Sequence, residues 1–355
     1  MDNLQHAATQ GESEKAHFGT IQHDLSHIKP TAAEISHLWS SYLAESMSVA
    51  FLKHMVRQSK DPDFHDVLQY SLDISSQRIL LMEELFSSIQ HPVPKGFGEE
   101  DVNSNASELY DDAFSVRYTR AGTKYILLNY GVSYSDSSRI DFRNLFSGFM
   151  NTSKDVIERA NEVLLTKGLF SKSPYLPTPD RVEFVKDKSY YGSFFGGHQR
   201  PLNAIEVSNI FSIMDYKMAI RTLTLGFAQI TKSGNIKDYL NRGLKIADKQ
   251  LQVLGALLEK DSLKGPDIVN YQVTDSKESP YSDRLMIFHF TVAIAYIVTA
   301  YGLGLTNSAR KDVVLTFSRL MVEILEFVKD GADILIENGW LERVPEAPNR
   351  QVLTH

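Results

Sequence analysis

Apolar residues at Ile35, Leu38, Trp39 and Tyr42 fall three and four positions apart, which is the period of one helix face. Thr31-x-x-Glu34 precedes them as a capping box: the Thr hydroxyl takes the amide three residues on, and the Glu reaches back. Asp61-Pro62 opens a second helix with a cap residue and a proline at the first helical position. Val67, Leu68, Leu72, Ile74, Leu81 and Leu85 carry that helix to about Ile89. A long stretch with Pro92, Pro94, Gly96 and Gly98 separates it from a third helix over about 110–130. A fourth helix, with a cap near Ser135, ends at Gly168, the glycine expected just past a helix C-terminus.

The same pattern then recurs. Glu34 registers with Glu206, Leu38-Trp39 with Ile210-Phe211, Lys60 with Lys232, Leu72 with Leu244 and Pro94 with Pro266, all at one offset. After a one-residue slip in the long connection, Tyr110 registers with Tyr281, Tyr125 with Tyr296, Tyr130-Gly131 with Tyr301-Gly302, Arg139 with Arg310 and Gly168 with Gly339. The second capping box is Asn203-x-x-Glu206, and the second fourth helix has its cap near Thr306. A period of about 170 residues is too long for a solenoid and suits two whole domains. Short links within helix pairs and one long link between them are the ferritin-like bundle topology. The chain is therefore expected to be all-α: two tandem ferritin-like four-helix bundles, each with a long crossover between its second and third helices, related by internal duplication. The expected divisions are a flexible tail at 1–29, a bundle at 30–170, an aromatic and Pro-rich linker at 171–200, a bundle at 201–343 and a tail at 344–355.

Composition narrows the function. With 355 residues, 43% of them hydrophobic, the chain can bury two cores. The net charge is −7 and no basic cluster is apparent along the sequence, so neither nucleic acid nor a phosphate-binding surface is expected. The absence of cysteine excludes disulfides, thiolate chemistry and Cys-based metal sites, and fits a cytoplasmic protein. Residues 1–29 have no apolar core and do not resemble a signal peptide. Residues 285–305 carry no formal charge over 21 positions and could span a bilayer by length. The matching stretch of the first copy carries Arg117, Arg120 and Lys124, so no membrane span is expected; 285–305 reads as a helix buried on all sides.

Candidate chemistry is sparse. A di-metal carboxylate centre needs a Glu from each of two helices and a Glu-x-x-His from each of the others. Only Glu14-x-x-His17, in the tail, and the capping Glu34-x-x-His37 fit that spacing, so no cofactor is expected and a metal is not. No phosphate loop or nucleophile elbow occurs. His289, between Phe288 and Phe290, matches Tyr118 of the first copy, and with Tyr125 and Tyr296 these are the candidates for a buried polar site. Arg139 and Asp141, like Arg310 and Asp312, are two apart and cannot face each other on a helix, so each is expected to pair elsewhere. Tyr190, Tyr191, Phe194 and Phe195 of the linker are expected to pack between the bundles.

Pro-Leu-Asn-Ala-Ile-Glu at 201–206, Tyr-Ser-Asp-Arg-Leu-Met-Ile-Phe-His at 281–289, Asp-Gly-Ala-Asp-Ile-Leu-Ile-Glu-Asn-Gly-Trp-Leu-Glu at 330–342 and Pro-Tyr-Leu-Pro-Thr-Pro at 174–179 resemble a domain-of-unknown-function family of Bacillus-type spore-forming bacteria. The resemblance covers about 30–345. It implies two tandem ferritin-like bundles, and some members are labelled spore coat proteins by similarity to coat protein F. It implies no catalytic residues. It also implies a frequent histidine in the second helix of each bundle, where this chain has Arg78 and Gln250. Two readings stay open: a non-catalytic structural or interaction protein, spore-associated and partnered as a homodimer or with another protein, or a bundle that binds a small apolar ligand or a metal as a carrier or oxidoreductase.

Overall fold

The structure, a computed structural model, describes residue 25 and residues 27–194, 199–266 and 272–350. Among these are eight α-helices of 25–27 residues and no strand. They are α1 (Ala32–Gln58), α2 (Pro62–Ser88), α3 (Asp112–Asp136), α4 (Ile140–Thr166), α5 (Ala204–Ile230), α6 (Gly234–Glu259), α7 (Asp283–Asn307) and α8 (Lys311–Glu337). The expected N-terminal tail falls almost entirely outside the described residues, as do 351–355. In each copy consecutive helices pack as hairpins, α1 with α2, α3 with α4, α5 with α6 and α7 with α8, and α3 also touches α5 across the copies.

The long connection does cross over. Gly96 lies beside Ser46, Glu99 pairs with Lys53, and Ala106 accepts from His54 and Gln58, so the chain runs along α1. Asp112 then accepts from the Lys60 and Asp61 amides at the α1–α2 turn. In the second copy Asp283 accepts from Thr231 at the α5–α6 turn in the same way. α2 and α3 therefore start at the same end of the bundle, which a short link could not achieve.

Both capping boxes form, on Thr31/Glu34 and Asn203/Glu206. Each capping Glu does more. Glu34 accepts from the Ser138 and Arg139 amides at 2.8 Å, and Glu206 from Ala309 and Arg310, so one buried carboxylate satisfies two helix N-termini. This corrects the expected start of the fourth helix: Ser135 lies within α3, Thr306 lies within α7, and the cap comes from the first helix. The expected separation of Arg139 from Asp141 is also corrected. Arg139 sits at the N-cap with extended backbone, outside the helix, and its guanidinium binds Asp141 in a two-pronged pair; Arg310 does the same with Asp312. At the other end Gly168 and Gly339, at φ +69° and +68°, let Leu169 and Trp340 bond back to Leu164 and Leu335.

The expected two cores do not divide at the linker. The larger core joins Phe51, Leu68 and Phe114 of the first copy to Phe227, Ile294 and Phe327 of the second. A smaller one, with Leu38, Phe86 and Phe142, fills the far end of the first bundle. Among the described residues only α7 is long and apolar enough to cross a membrane, at mean hydropathy 1.7. It is a core helix: α5 and α8 pack on it, and Phe97 of the first crossover packs on Phe288 with ring centres 4.9 Å apart. The expectation of burial on all sides is corrected, because Ala295, Thr299 and Leu303, four apart, form a stripe open to solvent.

Candidate functional site

The two copies meet around an axis, and the expected site residues lie on it. Val102 bridges Tyr281 and Tyr110 bridges Val273, each residue pairing with the counterpart of its partner's position. The backbone bonds repeat the exchange: Asn103 to Pro280 and Thr274 to Leu109, then Ser282 to Asp101 and Asp111 to Gln272. Such self-complementary pairing is the mark of a two-fold interface, here closed inside one chain. On the axis a residue meets its own copy. Tyr118 hydrogen-bonds His289 Nε2, and the Tyr125 and Tyr296 rings stack at 5.1 Å and 8°. Tyr216 closes the layer, 4.5 Å from Tyr125. One pair breaks the equivalence. His54 receives the Tyr281 hydroxyl, whereas Gly226, at the matching position, leaves room for Tyr110 to reach the Leu223 carbonyl at 2.6 Å.

The axis is chemically quiet. Burial drives His289 down to about 3, so the ring is neutral near pH 7. Burial raises Tyr118 and Tyr125 and pushes Tyr296 up to about 12. Acid–base catalysis works best with groups that titrate near the working pH, and these four lie far from it.

A second set of polar groups lies inside each bundle, around Arg78 and Gln250, the two positions that the family resemblance marked. In the first, Arg78 donates to Glu45 at 2.8 Å, to the Phe149 carbonyl and to the Thr152 and Ser153 hydroxyls. Tyr130 donates to the same Glu45 oxygen. In the second, Gln250 bridges the Tyr301 hydroxyl, the Leu320 carbonyl and Glu323 at 2.9–3.0 Å. Lys217 is buried beside them, its Nζ 5.7 Å from the Tyr301 ring, and makes no ion pair among the described residues. Burial pulls its amine down to about 7 against the opposing pull of Glu323. Charges on an apolar helix face look like solvent positions until the partner helix is known, which is why Glu45 and Lys217 gave no signal. No group of three or more acidic or histidine ligands occurs among the described residues. Glu34 is fully used as a cap, and its spacing partner His37 instead pairs with Asp136 at 3.1 Å.

The linker rings attach to the end of the second bundle, which corrects their expected place between the bundles. Tyr190 stacks 4.0 Å from the Arg200 guanidinium, and its hydroxyl accepts from Asn203, the α5 cap. Tyr191 packs edge-on against Tyr190, and Phe194 lies 5.4 Å from Lys311 Nζ at the start of α8. Arg200 bridges Tyr190 to the buried Glu206 with two bonds of 2.8 Å, which draws the linker to that helix end. Phe195 lies outside the described residues.

A model of DUF3231, a protein family of unknown function, matches this chain twice, over 23–182 and 193–353. Among solved structures, a protein from Bacillus halodurans described as a putative spore coat protein aligns at 16% identity and TM-score 0.39, covering 42% of this chain and 98% of its own. No curated protein matches the chain.

Proposed function

The chain belongs to the DUF3231 family, and from its own geometry we propose that it is a non-catalytic structural or interaction protein, associated with the spore as the sequence resemblance implies. One observation carries this reading. The polar groups in the interior are spent on one another across the helices, as Arg78 is on Glu45, Thr152 and Ser153 and as Gln250 is on Tyr301 and Glu323. Fractionating the source organism across sporulation tests it. Recovery in the coat extract supports the proposal; recovery only in the cytosol of growing cells contradicts it. Light scattering on the same material reads whether a homodimer adds to the internal pseudo-dimer.

A second reading, a carrier for a small apolar ligand, has one observation in its favour. A cavity of about 80 Å³ lies beside the axis, lined by Met47, Phe51, Ile126, Val292 and His289. His289 Nδ1 has no hydrogen-bond partner among the described residues. Native mass spectrometry of the purified protein tests this: a bound mass lost on His289→Phe supports a carrier, and bare polypeptide mass rejects it.

A further inference from the structure

The first copy carries a row of cations without a direct counter-ion among the described residues, with Asp215 the acidic group acting on Arg120 and Lys124 from nearby. Arg117, Arg120 and Lys124 share one face of α3. Arg117 donates to the Leu169 carbonyl at 2.6 and 3.0 Å. Arg120 donates through Nε to Asn161, with its guanidinium 4.5 Å from the Phe170 ring. Lys124 donates to the Ser212 hydroxyl at 2.7 Å. All three acceptors are neutral, and none of the three cations forms an ion pair with a described residue. Burial lowers the pKa of Arg120 and Lys124, and Arg120 lowers Lys124 further.

Arg117 and Arg120 line a cleft of about 340 Å³ between the bundles, within the range of small-molecule sites. Lys172, leaving α4, Arg221 of α5 and Lys264 of the second crossover line it too, and among the described residues Asp215 is its only carboxylate. Arg221 is committed to Asp248, outside that lining. The expectation of no basic cluster is thereby corrected: these cations come from four separate parts of the chain and meet only in the fold. In a protein of net charge −7, such a cleft concentrates anions from solution. The matching positions on α7 are Phe288, Thr291 and Ala295, so the duplicated fold itself does not require the charges. Phe170 and Phe211 supply an apolar wall.

We propose that this cleft binds a small amphiphilic anion, with a carboxylate or phosphate head held by Arg117 and Arg120 and an apolar body against Phe170 and Phe211. The site is separate from the axis and goes beyond the structural reading, which stands or falls on localisation. The test is a fluorescence titration of the full chain with anilinonaphthalene sulfonate, followed by displacement with decanoate, decyl phosphate and decanol. Saturable binding is expected, displaced by one or both anions but not by decanol, and weakened about tenfold or more in Arg120→Gln, a tenfold loss being one decade in Kd. Lys172→Gln, at an exposed position, should weaken binding less and leave the unfolding midpoint unchanged, so the result does not depend on Arg120→Gln folding. Displacement by decanoate alone assigns a carboxylate head, and by decyl phosphate alone a phosphate. Displacement by decanol as effective as by the anions, or unaltered binding in both variants, overturns the proposal.

Discussion

The centres of the two bundles occupy the same positions and solve the same problem differently. In the first, α1 supplies an anion, Glu45, and α2 a cation, Arg78. In the second, the matching α5 position is a cation, Lys217, the matching α6 position is the neutral Gln250, and the anion, Glu323, comes from α8. Only the tyrosine, Tyr130 or Tyr301, is the same, and even it donates to a different helix: to Glu45 on the first helix of one bundle, to Gln250 on the second helix of the other. The capping network, by contrast, is reproduced in its main bonds, with Glu34 and Arg139 matched by Glu206 and Arg310, and the second copy adds Arg200 on Glu206. The contrast separates what the fold needs from what it tolerates. Helix ends must be satisfied in one way, because four orphan amides point at one place. An interior polar layer needs only internal satisfaction, and any set of groups that achieves it will serve. The ion pair also has a visible cost: the apolar core of the first bundle is split near Glu45 and Arg78, whereas the second bundle belongs to one continuous core.

Breaking the comparison at Glu45 should have the largest effect. Glu45→Ala leaves Arg78 buried without its counter-charge, and a loss of about 3–5 kcal/mol is expected in urea unfolding. The double change Glu45→Met with Arg78→Met should recover most of it, since an apolar pair needs no partner. Lys217→Met should act in the opposite direction and raise stability at pH 7 by about 1–3 kcal/mol, because it removes a buried amine that has no ion pair. The pH profile sharpens this. The unfolded lysine holds its proton to 10.5 and the folded one only to about 7, so over that window the unfolded state binds more protons and stability rises with pH. Lys217→Met should remove that rise. The smallest effect is expected at the axis. His289 titrates near 6.5 unfolded and about 3 folded, so its contribution is complete above 6.5 and is lost as pH falls toward 3. His289→Phe should cost about 1 kcal/mol at pH 7 for the lost Tyr118 bond and should flatten the acid limb of the stability profile.

Much of this architecture was legible in the sequence because it is local. Cap residues, the proline after Asp61, the terminal glycines and the length of the crossover are short-range signals, and the duplication stated all but the proline twice. The apolar stretch at 285–305 announced a core helix but not its open stripe, since Ala295, Thr299 and Leu303 face solvent. What covers it was not legible. Aligning Tyr118 with His289 and Tyr125 with Tyr296 marks them as copies, but nothing in one dimension says that copies touch; that follows only from the axis. Arg139 with Asp141 was misread because helical spacing was applied to a residue that lies just outside the helix. Arg117 and Arg120 were visible as neighbours, but Lys172, Arg221 and Lys264 lie too far from them in the chain for the cleft to register as a cluster. The linker rings were assigned to the wrong neighbour, since the attraction of Arg200 and Glu206 for Tyr190 depends on tertiary placement, and Tyr191 and Phe194 stay about half exposed.

The central claim is that the two bundles are one unit, joined by a shared core and an internal two-fold axis rather than tethered by a linker. The chain carries a direct reporter for each half, because its only two tryptophans are Trp39 on α1 and Trp340 just after α8. Trp39 is buried in the first bundle, and Trp340 packs against the core that spans both. Urea unfolding of the Trp39→Phe and Trp340→Phe variants, each followed by its remaining tryptophan and by helical circular dichroism, measures the coupling. A shared core requires the tryptophan and helical signals to coincide in one transition within each variant. Two separated transitions, with one bundle losing its tryptophan signal while half of the helix persists, would contradict the account.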